Sequence, residues 1–116
     1  MSVDWVRRFC LSLSQTTETV QWSSNLVFKI GGKMFAVMNL EPAPHWLSFK
    51  CSAEEFAELT ERPGIIPAPY LARAYWIALE TEDALTAAET KHLLRQAYDL
   101  VVARLPKKTR DVLKLA

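Results

Sequence analysis

Leu26-Val27-Phe28-Lys29-Ile30-Gly31-Gly32-Lys33-Met34-Phe35-Ala36-Val37-Met38 reads as two strands joined by two glycines. A Gly-Gly connection suits a type I′ turn, whose central residues both need positive φ, and such a turn sets the register of the hairpin. Pairing Ile30 with Lys33 predicts Phe28 opposite Phe35 and Leu26 opposite Val37, all on one face. The other face then carries Val27, Lys29, Met34, Ala36 and Met38. A solvated face would be more polar, so this one is expected to be covered in part by another element of the chain or by a partner.

Upstream, Val3, Val6, Phe9, Cys10 and Leu13 share a helical face, which predicts a helix over residues 3–13 with Ser2 as N-cap and Asp4 favourably placed in the first turn. Thr16 to Trp22 is rich in β-branched and aromatic residues and could begin the sheet, before Ser23-Ser24-Asn25 breaks it. Downstream, a proline-containing connection over 40–44 precedes His45 to Cys51. There Leu47, Phe49 and Cys51 alternate with Trp46, Ser48 and Lys50, as a further antiparallel strand requires. Ser52 with Glu55 has capping-box spacing, Cys51 and Phe56 the positions of a hydrophobic staple, and Pro63-Gly64 should end that helix.

Pro67-Ala68-Pro69-Tyr70-Leu71-Ala72-Arg73-Ala74-Tyr75-Trp76-Ile77 restricts backbone freedom and reads as a rigid lead-in to a last strand over 73–79. Alternation groups Arg73 with Tyr75, Ile77 and Leu79, so Arg73 must be paired, face an open side or lie outside the regular strand. Thr86 and Glu89 repeat the capping box before the longest helix, whose buried stripe is Leu93, Leu94, Ala97, Tyr98, Val101 and Leu105. Pro106 should stop it and leave a short basic tail over 106–116. The fold class is therefore α+β: an antiparallel meander sheet with an N-terminal helix, a middle helix and a long C-terminal helix packed against it, in one domain spanning 1–116.

The chain has 116 residues, 50% of them hydrophobic, and a formal net charge of +1, so no global field announces an anionic partner. Charge is unevenly spread all the same: residues 52–99 carry four Lys or Arg against nine Asp or Glu, and residues 100–116 carry five against one. Cys10 and Cys51 lack the spacing of a zinc site or redox dithiol and are expected to be buried free thiols. With no secretory signal pattern and no apolar stretch near the ~20 residues a bilayer requires, a cytoplasmic location and no membrane partner are expected.

Catalytic parts are sparse. His45 and His92 have no Cys or acidic pair at metal-ligand spacing, and Glu54, Glu55, Glu58 and Glu61 repeat at about one helical turn, as a solvated face does. No metal or cofactor is expected, and the chain reads as no enzyme; an exposed His45 or His92 in a pocket beside acidic side chains would revive a catalytic reading. Basic and aromatic groups remain. Lys29, Lys33, Lys50, Arg73, Lys107 and Lys108 are candidates to contact phosphates, with Arg110 in the same basic tail, and Trp22, Trp46, Tyr70 or Trp76 could stack on bases. Large aromatics in a small domain serve its core first, and Lys107 and Lys108 could simply stabilise a helix C-terminus.

Three stretches taken in order resemble the MmcQ/YjbR family of small bacterial proteins: Phe28 to Ala36 in the hairpin, Pro67 to Arg73 followed by Trp76, and Ala97-Tyr98-Asp99-Leu100-Val101 with Leu105-Pro106-Lys107-Lys108. The fingerprint positions are Gly31, Gly32, Pro67, Pro69, Tyr70, Arg73 and Trp76. The resemblance implies a CyaY-like α+β fold, compared also with a double-wing DNA-binding module, and a DNA-binding role. The chain departs from the family at Arg73-Ala74-Tyr75, where many members place glycine or lysine. Frataxin-type iron binding would want an acidic ridge on the first helix, which here offers only Asp4 beside Arg7 and Arg8. The expected function is a non-enzymatic domain that binds DNA weakly and with strong salt dependence through the hairpin and open sheet face. The alternative is a protein-interaction or small-ligand module using the same surface. A continuous positive face would favour the first, an apolar concavity near Tyr70 and Trp76 the second.

Overall fold

The computed structural model describes residues 3–115, so the expected cap Ser2 lies outside the described residues. In chain order the elements are α1 (Val3–Ser12), β1 (Thr17–Gln21), β2 (Asn25–Ile30), β3 (Lys33–Asn39), β4 (Leu47–Lys50), α2 (Ala53–Leu59), β5 (Ile65–Pro67), β6 (Trp76–Leu79), α3 (Ala87–Arg104) and α4 (Lys107–Val112). The strands form one antiparallel sheet in the order β1-β2-β3-β4-β6-β5. This is the α+β architecture that the clustering of strands implied.

Gly31 and Gly32 adopt φ of 61° and 81°, the two positive values that a type I′ turn needs, and Ile30 pairs with Lys33. Lys29 then pairs with Met34, but Phe28 faces Ala36, Val27 faces Val37 and Leu26 faces Met38. Phe35 is the extra residue of a β-bulge, and every β3 residue after it changes face. The expected pairings of Phe28 with Phe35 and Leu26 with Val37 are corrected accordingly. Phe35 and Ala36 both enter the core with Met38, while Val37 turns to the opposite side. The bulge lets Phe28 and Phe35 pack at 6.4 Å between ring centroids, with Tyr98 edge-on to Phe35 at 5.6 Å.

Helices cover one face of the sheet. α3 packs across β2, β3 and β4, α1 lies against α3, and α2 packs against β5 and β6. The core joins Val6 and Cys10 of α1, Phe28, Phe49 and Ile77 of the sheet, Leu59 of α2, and all six residues of the expected α3 stripe. Thr90 joins that stripe fully buried, its hydroxyl satisfied by donating to Thr86 O at 2.8 Å. The Thr86–Glu89 capping box is complete, whereas Ser52 accepts from Glu55 N–H and returns its own hydroxyl to the Glu55 carboxylate.

Three further expectations are corrected. Ile65–Pro67 is an edge strand, where Pro67 leaves no interior ladder bond unmade. The last strand starts at Trp76, because Ala72–Ala74 is a 3-10 turn and Tyr75 takes a left-handed φ of 61°; Arg73 lies outside the strand and is exposed. The tail folds into α4, so Lys107 and Lys108 occupy a helix N-terminus, where cations oppose the dipole instead of stabilising it.

The second face of the sheet is half covered. The chain over 68–75 folds back across it, held by Ala68 N–H donating to Trp76 O at 2.9 Å and Trp76 N–H to Leu71 O at 3.3 Å. Beneath it Ala68, Trp76 and Ala78 form a small second core with Met34, Val37, Ile66 and Leu71. Cover by the protein's own loop is thus part of the answer to the apolar second face. No helix among the described residues is long and apolar enough to cross a membrane.

Candidate functional site

Strand pairing brings distant cations to one end of the sheet. The hairpin tip, the last residue of β4 and the first of β6 coincide there, since Ile30 pairs with Lys33 and Lys50 with Trp76. Lys33 is exposed at the tip, Lys29 faces Met34 on the open side, and Arg73 stands exposed in the turn before β6. Leu105 lies over Gly31, which carries the end of α3 and the start of α4 to the same place; Lys108 lines a shallow depression with Gly31 and Gly32. All six expected cations therefore share this end, although they come from four separate stretches of sequence.

Arg104 joins them and was missed, because in sequence it reads only as the last turn of α3. Lys50 Nζ donates to Ala74 O at 2.8 Å, and burial first and the Arg104 charge second lower its pKa below the usual lysine value. The two like charges thus act on each other at this end of the sheet. Lys107 has an exposed partner in Asp111 at 3.4 Å, a pairing of little energetic weight. Glu54 and Glu55 stand at this end too, in the first turn of α2 on the helix-covered side. Exposed Glu41, Glu80, Glu82 and Asp83 lie at the opposite end, beyond β3 and β6, so the charge separation runs along the strands.

A concavity of about 370 Å³ runs along the open face from Met34, near this cluster, past Val37, Ser48 and the Ala68–Leu71 segment, to Trp22, Asn25 and His45 at the β1–β2 and β3–β4 connections of the opposite end. No Asp, Glu, Lys or Arg is among the residues lining it. Trp22 is 63% exposed and Tyr70 fully so, and both hold left-handed backbone, with φ of 52° and 67°. Bulky residues avoid that region, so two strained, exposed aromatics on one rim are a local cost with no return in packing. Trp76 is buried beneath the loop, and Trp46 is half-buried with its indole donating to Thr81 O at 3.0 Å. Of the four candidate aromatics, two serve the fold and two are free to meet something else.

The fingerprint positions divide the same way. Gly31 and Gly32 make the turn, Pro67 ends the edge strand, and Trp76 anchors the second core, while Pro69 and Tyr70 line the concavity and Arg73 stands in the cationic group.

His92 is exposed and lines a shallow cleft between α2 and α3 with Glu55, Glu58, Arg62 and Glu89. This meets the placement that a catalytic reading requires. Of its carboxylates, Glu89 accepts from Arg62 at 2.7 Å and from the Thr86 N–H at 3.0 Å, and these hold it at about 2, too acidic for proton exchange near neutrality. Among the described residues no cluster of three His, Cys, Asp or Glu side chains is arranged to hold a metal ion. His45 lines the open-face concavity, whose lining includes no carboxylate.

A family model described as YjbR matches residues 11–100. The crystal structure of Deinococcus radiodurans protein DR2400, which carries a DUF419 domain, superimposes with a TM-score of 0.88 at 30% identity, covering 99% of this chain and 89% of that one. A Pseudomonas syringae protein of solved structure superimposes with a TM-score of 0.72 at 20% identity, covering 86% of this chain and 98% of that one, a likeness of fold alone. No curated protein matches the chain.

Proposed function

The chain belongs to the YjbR family, and on that footing we propose that it is a non-catalytic module that binds nucleic acid through the cationic end of its sheet. One observation carries the reading: Lys29, Lys33, Lys50, Arg73, Lys107 and Lys108 converge with Arg104 at one end, while Glu41, Glu80, Glu82 and Asp83 lie at the other. Cations outnumber the carboxylates gathered with them there, Glu54, Glu55 and Asp111, and a polyanion relieves the repulsion that remains. With a net charge of +1 the long-range attraction is small, so binding is weak and salt-sensitive. About four neutralised phosphates on a duplex would give a slope of log K against log salt of about −3.6.

Anisotropy of a labelled DNA duplex tests this. Binding at low salt that disappears at moderate salt, and that weakens when Lys29→Glu is combined with Lys33→Glu, is the expected result. No binding at low salt, or binding indifferent to the double charge reversal, would overturn it.

The uncharged concavity beside Tyr70 favours a second reading, a module for a small apolar ligand or peptide. In that case binding would be insensitive to salt and would survive the charge reversals.

A further inference from the structure

We infer that the open-face concavity receives an unstacked base, so that the preferred partner is single-stranded nucleic acid; the inference rests on the nucleic-acid reading above. Three features of one surface lead there.

The pocket is neutral and largely apolar, yet cations stand beside its hairpin end. Lys29 is the cross-strand partner of Met34, which lines the pocket, and Lys50 lies two residues along β4 from Ser48 on the same face. Side chains two apart on a strand project about 7 Å from one another, the scale on which a base stands off its own phosphate. A neutral ring in the pocket would leave its phosphate over Lys29 and Lys50. A free apolar ligand would have no use for those charges, and an intact duplex could not put a base edge into a concavity.

The rim is aromatic at Trp22 and Tyr70, each exposed and each held in left-handed backbone. Rings presented this way offer stacking surfaces that accept any base.

The floor has hydrogen-bonding capacity to spare. Asn25 Nδ2 donates to Asn39 Oδ1, and Asn39 Nδ2 donates to His45 O at 2.6 Å, a chain that fixes the Asn25 amide and leaves its carbonyl oxygen unengaged among the described residues. Ser48 is buried in the sheet at the pocket, and no hydrogen bond among the described residues occupies its hydroxyl. A base edge carries the donors and acceptors that match these groups. At about 370 Å³ the concavity has room for one base and its sugar.

The experiment compares fluorescein-labelled oligothymidylate, the same length of oligouridylate, and a DNA duplex of equal length at low salt, with wild type, Tyr70→Ala and Trp22→Ala. Single strands should bind more tightly than duplex, and each aromatic substitution should weaken single-strand binding about fivefold or more while leaving duplex binding unchanged. Tyr70 is fully exposed, so its removal leaves the fold intact. Duplex bound as well as or better than single strand, or Tyr70→Ala without effect on single strands, would overturn the inference. If either of those results comes with duplex binding that still falls when Lys29→Glu is combined with Lys33→Glu, the inference alone is lost; if no nucleic acid binds, both readings are.

Discussion

Gly31 lies against Leu105: a methyl group on its α-carbon would stand 2.7 Å from Leu105 Cδ1. This contact joins the hairpin tip to the junction of α3 and α4, the place where the cations meet. Gly31 is therefore required twice, for its φ of 61° and for its missing side chain. Gly32 has φ of 81° but nothing within 4 Å of the same position. Alanine in left-handed backbone costs about 1–2 kcal/mol, and forcing a methyl into packed apolar groups adds about 1–3 kcal/mol. Gly31→Ala should thus lose clearly more stability than Gly32→Ala in urea denaturation. Equal losses would show that the Leu105 contact is slack.

Tyr98 donates its hydroxyl to Ser14 O at 2.6 Å, tying α3 to the segment after α1, while its ring meets Phe35 edge-on. Tyr98→Phe keeps the ring and orphans one carbonyl, for a loss of about 1 kcal/mol. Tyr98→Ala also empties the contact with the bulge residue and should lose about 3–5 kcal/mol. Chemical denaturation of the two variants separates the hydrogen bond from the packing.

Arg62 and the Thr86 N–H hold the Glu89 carboxyl at about 2, below its usual 4.5. A depressed acid stabilises the fold above its unfolded pKa, and that contribution is lost as pH falls from about 4.5 to about 2. The side chain is 38% exposed, so screening reduces the effect to about 1 kcal/mol or less. Glu89→Gln retains an acceptor for the cap but no charge. Denaturation should show it slightly less stable than wild type at pH 7, and the gap should close by about pH 2. A gap that persists at low pH would assign the effect to the cap instead of the ion pair.

Burial pushes the thiols of Cys10 and Cys51 up to about 12. Both should resist a thiol-reactive disulfide reagent at pH 8 in the native protein and react at once when it is unfolded. Rapid native labelling of either would indicate local opening at α1 or at the start of α2.

The first three helices and the hairpin turn were legible in the sequence, because amphipathic spacing, capping residues and a Gly-Gly turn are local signals. The bulge at Phe35 was not, since one unpaired residue leaves no mark on an apolar run whose two faces are both partly buried. β5 was hidden by Pro63 and Pro67, which read as loop although proline is tolerated at a strand edge. Pro106 read as a stop, yet proline is equally suited to the entry of a new helix, and that choice turned Lys107 and Lys108 from dipole partners into charges the fold does not need. Convergence of the cations followed from strand order, which no local pattern contains. The concavity depended on left-handed backbone at Trp22 and Tyr70, a conformation that their residue types argue against.

Amide chemical-shift mapping on isotope-labelled protein, titrated with a short oligonucleotide at low salt, tests the claim that the cationic end is the contact surface. Shifts should centre on 29–34, 50, 71–76 and 104–109, extend along the concavity to Trp22, Asn25 and Tyr70, diminish with added salt, and spare Glu80 and Glu82 at the far end. Shifts centred on the acidic end or on the α2–α3 cleft around His92, or no shifts at all, would contradict it.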